Sequence, residues 1–165
     1  DEIRYDLLAT IDTAQRDTDE DGYIDSEDAC DFTIGTSEYD RKGCIDSDSD
    51  GYSDPELGWS PNNGADAFPN QPSQWLDSDN DGFGDNLDGY QGDFCPYNSG
   101  QSYSDRFGCL DSDGDGFSDS DPVGIFGVGE WFAHPVGLAD AFPSDHTQWT
   151  DTDGDGYGDN WDDPA

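Results

Sequence analysis

DTDEDGYID, Asp17 to Asp25, sets the reading of the whole chain. Acids stand at positions 1, 3, 5 and 9 of this nonapeptide, Gly at position 6 and an aromatic residue at position 7. The pattern returns as DSDSDGYSD (Asp46 to Asp54), DSDNDGFGD (Asp77 to Asp85), DSDGDGFSD (Asp111 to Asp119) and DTDGDGYGD (Asp151 to Asp159). One such stretch reads equally well as a surface turn, but five in one chain of 165 residues do not arise by chance.

A hard divalent cation explains this order of residues. Calcium takes about six to eight oxygen ligands at about 2.3–2.6 Å, and a short loop supplies them when alternate carboxylates turn inward around a glycine bend. The spacing predicts that Asp17, Asp19 and Asp21 converge in loop 1, and Asp46, Asp48 and Asp50 in loop 2. Loops 3, 4 and 5 offer Asp77, Asp79 and Asp81, then Asp111, Asp113 and Asp115, then Asp151, Asp153 and Asp155. Position 7 (Tyr23, Tyr52, Phe83, Phe117, Tyr157) adds a backbone carbonyl and leaves its ring to pack. Position 9 adds Asp25, Asp54, Asp85, Asp119 and Asp159. Loops 1, 3 and 5 carry a further acid at position 12 (Asp28, Asp88, Asp162), and loops 2 and 4 one at position 11 (Glu56, Asp121). Asp66 and Asp140 are extra candidates, and the surplus of carboxylate leaves room for five or more ions.

Composition agrees that a cation completes the fold. Five Lys and Arg against 41 Asp and Glu give a net charge of −36, and only 31% of residues are hydrophobic. Self-repulsion on that scale opposes a compact state, and apolar surface is too scarce to offset chain entropy. Disorder is the alternative outcome of such a composition, but 13% aromatic residues and fixed acid spacing argue against it. The sign of the charge excludes nucleic acid as a partner. No apolar run approaches the roughly 18–20 residues that a membrane span requires, and no signal-peptide pattern opens the chain.

Loop starts fall 29, 31, 34 and 40 residues apart, and the units they head alternate in kind. Loops 1 and 3 lead into cysteine segments ending DRKGC (Asp40 to Cys44) and DRFGC (Asp105 to Cys109). Loops 2 and 4 lead into ADAFP (Ala65 to Pro69, Ala139 to Pro143), followed by Gln74 and Trp75 or Gln148 and Trp149. The expected organisation is one continuous array: an N-terminal apolar segment at 1–16, loop pairs at 17–76 and 77–150, and a single loop at 151–165. Four cysteines permit three pairings, and the repeat favours the two local ones, Cys30 with Cys44 and Cys95 with Cys109. Zinc would want a CxxC spacing that is absent. Disulfides and weak calcium sites both point to an extracellular or cell-surface location.

Frequent Gly, Asp, Asn, Ser and Pro predict an irregular array with little regular secondary structure. Short strands are expected at Ile3–Ile11, where apolar residues alternate, and at Val123–Trp131, inside an insertion running to Leu138. Trp75 and Trp149 are expected to cover loops, Asp40 and Asp105 to serve local salt bridges or turns beside Arg41 and Arg106, and His134 and His146 to lie on the surface.

The loops resemble the thrombospondin type 3 repeat, most closely at DTDEDGYIDSEDAC (Asp17 to Cys30) and more loosely at DSDNDGFGDNLDGYQGDFC (Asp77 to Cys95). The resemblance implies calcium ligation by the acids named above and disulfides that clip successive turns. The chain departs from that family where cysteine gives way to ADAFP and Gln-Trp. EF-hand and dockerin loops share the opening pattern, but each needs a helix after position 12, where Cys, Pro and Gly follow here. The expectation is a calcium-stiffened stalk, spacer or fibre subunit, not an enzyme, assembling with copies of itself head to tail. The alternative is an adhesion module for a surface glycan or protein.

Overall fold

The computed structural model describes residues 14–160. Beyond a single helical residue at Ala14, regular secondary structure among them amounts to a 3₁₀ turn at Pro61–Asn63 and four isolated bridges. The expected strand at Ile3–Ile11 lies outside the described residues. The chain divides into two compact units, one ending at Leu76 and the other beginning at Asp77.

Position 6 shows why these segments turn instead of extending. Its glycines (Gly22, Gly51, Gly82, Gly116, Gly156) have φ between 84° and 105°, a region that L-residues with a Cβ rarely enter. Position 4 is left-handed as well, at Glu20, Ser49 and Asn80 with φ of 62–67° and at Gly114 and Gly154 with φ of 81° and 73°. Two reversals within three residues wrap the backbone around the acids.

The interior of each unit is polar. Among the described residues the buried apolar side chains are Cys44 and Ala65 in the first unit, and Cys95, Cys109 and Ala139 in the second. Buried beside them are Ser37, Ser53, Asp66 and Gln74, and Asp93, Ser102, Ser118 and Asp140. Hydrogen bonds therefore do much of the work that apolar packing does elsewhere. Ser37 Oγ donates to the Arg41 carbonyl and accepts the Cys44 amide, and Ser102 repeats this between Arg106 and Cys109. Disulfides Cys30–Cys44 and Cys95–Cys109 close both segments, each with Cα atoms 5.1 Å apart. At Gly35 and Gly100 a Cβ would stand 2.0–2.1 Å from the Cys44 and Cys109 backbone, so only glycine permits that approach.

Val123–Trp131 is not a strand. Gly124 and Gly129 have φ of 63° and 86°, and the Asp121 carboxylate collects the amides of Ile125, Phe126 and Gly127, curling the segment into a turn. A bridge between Asp121 and Trp131 closes it. The corresponding bridge in the first unit joins Glu56 to Trp59, so the excursion is an enlarged copy of a tight turn.

Candidate metal centres

Each loop holds its acids by the same hydrogen bonds. At position 1, one carboxylate oxygen accepts the position 4 amide at 2.7–2.8 Å and the other accepts the glycine amide of position 6 at 2.8–3.1 Å. At position 5, Oδ1 accepts the position 7 amide at 2.9 Å in all five loops. The result brings together Asp17, Asp19 and Asp21; Asp46, Asp48 and Asp50; Asp77, Asp79 and Asp81; Asp111, Asp113 and Asp115; and Asp151, Asp153 and Asp155. Within each trio, one oxygen from each residue lies within 4.8 Å of the others. These are groups able to hold a metal ion.

The donor set fits a hard cation. Oδ2 of Asp19, Asp48, Asp79 and Asp113, all at position 3, is shielded from solvent and accepts no hydrogen bond. At position 5 the loops differ: Oδ2 of Asp21 and Asp81 accepts the amide of Gly35 (3.1 Å) and Gly100 (2.9 Å), whereas Oδ2 of Asp50 and Asp115 is buried and unbonded. Burial is the leading cause that pushes Asp50, Asp79, Asp81 and Asp115 above the usual carboxylate range, with neighbouring loop acids adding to it. Shielded oxygens crowded among like charges are costly until a cation joins them.

The other predicted residues are placed differently. Asp25, Asp54, Asp85, Asp119 and Asp159, at position 9, turn to position 2 and accept both its amide and its hydroxyl (Thr18, Ser47, Ser78, Ser112, Thr152). They clasp the two ends of the loop. Glu56 pairs with Arg41. Asp121 is held below the usual range: burial raises it, but the three amides it accepts and the Arg106 charge outweigh burial. Asp88 is exposed, and Asp162 lies outside the described residues.

Position 7 rings of the even loops pack as expected. Tyr52 stacks on Trp75 with centroids 5.3 Å apart, and Phe117 on Trp149 at 5.2 Å, both nearly parallel. Phe83 meets Phe107 at 5.8 Å, while Tyr157 of loop 5 is 79% exposed. Asp40 and Asp105 fix position 8 of the even loops by accepting the amide and hydroxyl of Ser53 and Ser118. Arg41 and Arg106 lie over Trp59 and Trp131 at 5.5 and 4.9 Å.

One buried acid escaped the position count. Asp93 is fully buried, and burial first, then the nearby Asp81, Asp79 and Asp85, push its pKa to about 7 against an opposing bond from the Cys95 amide. Asp66 and Asp140 are pushed to about 7 in the same way, by burial and then by the acids of loops 2 and 4, against the amides of Phe68 and Phe142. The signal for Asp93 was its distance from cysteine: Asp28-Ala29-Cys30 and Asp93-Phe94-Cys95 share Asp-x-Cys. No family model matches the chain, and no curated protein matches its sequence.

Proposed function

We propose that the chain is an extracellular calcium-binding structural protein, a stalk, spacer or fibre subunit stiffened by calcium and by its two disulfides. The observation that carries this reading is the fivefold recurrence of one hydrogen-bonded acid trio. In loops 1 to 4 each trio contains at least one buried carboxylate oxygen without a hydrogen-bond partner. Calcium is favoured over magnesium because the acids sit on short, turn-rich loops, which suit a cation of flexible geometry; magnesium demands a near-ideal octahedron at about 2.0–2.1 Å. A structural role is favoured over catalysis because the buried acids are arranged around the repeated loops, where a bound cation keeps them ionised. The Trp75 and Trp149 faces are engaged by Tyr52 and Phe117, which favours packing over sugar stacking.

Calorimetric titration of the metal-free chain with calcium tests the reading. Five or more bound ions, with magnesium much the weaker competitor, is the expected result. Uptake of fewer than one ion per loop contradicts it.

A further inference from the structure

Each loop supplies three converging carboxylates, and among the described residues the segments after loops 1 to 4 each bring a fourth. Asp28, Asp66, Asp93 and Asp140 donate their main-chain amides to the position 8 carbonyl of the preceding loop: Ile24 at 3.0 Å, Ser53 at 2.9 Å, Gly84 at 2.7 Å and Ser118 at 2.9 Å. Each then accepts at Oδ1 the amide two residues on, from Cys30 at 2.6 Å and from Phe68, Cys95 and Phe142 at 2.7 Å. These two bonds pin the side chain against the loop. Asp66, Asp93 and Asp140 are 0, 0 and 1% exposed, and Oδ2 of each accepts no hydrogen bond. The charges acting most strongly on them are the acids at positions 3, 5 and 9 of the loop to which each is pinned. A buried, half-satisfied carboxylate facing other carboxylates is stable only if a cation lies between them.

We propose that Asp66, Asp93 and Asp140 are ligands of the ions in loops 2, 3 and 4, so that each ion ties its loop to the segment that follows. The inference rests on the calcium reading of the loops. It assigns the ion a second task that differs between units. The segment after loop 3 is also tethered by Cys95–Cys109, whereas Ala65–Trp75 and Ala139–Trp149 contain no cysteine. In those two segments the ion takes the place of the covalent clip.

Asp66→Asn with Asp140→Asn keeps the Oδ1 acceptor for Phe68 and Phe142 and removes the charge. Titrated with calcium alone, the full-length variant should show two sites weakened by about tenfold or more, because affinity follows ligand charge. At calcium levels that saturate the wild type, amide exchange should quicken in 65–76 and 139–150. Unchanged or tighter binding in the variant, with calcium uptake by the wild type intact, overturns this inference alone; a wild type that takes up no calcium overturns the loop reading with it. A calcium-loaded crystal structure of the wild type decides the matter even if the variant fails to fold. Oδ2 of Asp66, Asp93 and Asp140 should lie about 2.3–2.6 Å from an ion, and ions out of bonding reach of all three contradict the proposal.

Discussion

Left-handed backbone at position 4 gives the most local test of the loop geometry. Glu20 and Ser49 adopt φ of 66° and 67°, a region that costs a residue with a Cβ roughly 1–2 kcal/mol. Gly114 and Gly154 occupy the same position in loops 4 and 5. Ser49→Gly should therefore stabilise the calcium-loaded protein, by about 0.5–1 kcal/mol once the greater freedom of glycine in the unfolded chain is set against the relief. Gly114→Ala should destabilise it by a similar amount, and denaturant unfolding of the two variants measures both. A second residue-scale outcome concerns pH. The metal-free fold raises Asp66, Asp93 and Asp140 to about 7 from 3.8, so their contribution is present below the unfolded value and is lost as pH rises through 7. Calcium requires the ionised form and reverses that preference. With the calcium-free chain unfolded and these carboxyls at their ordinary 3.8, calcium binding should exchange almost no protons at either pH 6 or pH 8.5, as titrations in buffers of different ionisation enthalpy will show. The converging trios were legible in the sequence because alternate acids before a glycine have few other uses. Asp93 was not, because five extra residues after Asp85 displace it from position 12 and put the exposed Asp88 there. The clasping role of position 9 had a sign as well, in the Thr or Ser at every position 2.

At the scale of the elements, a loop and the segment after it form one unit, and the two kinds of unit are held by different means. Cys95–Cys109 closes a cysteine segment by a covalent bond, while Trp149 covers Phe117 in an ADAFP segment. Replacing Cys95 and Cys109 by alanine should cost about 3 kcal/mol in the chain-entropy estimate for a loop of this length. Replacing Trp149 by alanine should cost about 3–5 kcal/mol, the range for removing a large packed aromatic, and thermal unfolding in saturating calcium compares the two. The alternation of units could be read from the repeats of DRxGC and ADAFP, and the local disulfides from equal cysteine spacing. The conformation of Val123–Trp131 could not. Its apolar residues suggest an extended strand, but Asp121 draws three consecutive amides onto one carboxylate, and only coordinates reveal that competition.

For the molecule as a whole, charge decides what holds it together. A net charge of −36 and an interior of serine, glutamine and aspartate leave little apolar burial to oppose repulsion. Two disulfides restrict the unfolded chain but neutralise nothing. On the proposed reading, bound calcium is a condition of the fold and not an addition to it. Small-angle scattering of the oxidised full-length chain, in saturating calcium and again in excess chelator with metal loss confirmed, tests this most directly. Chelation should raise the radius of gyration toward the roughly 40 Å of an unfolded chain of this length, limited only by the two short disulfide loops, and added calcium should restore the first value. A metal-free chain with the same radius of gyration as the loaded one would contradict it.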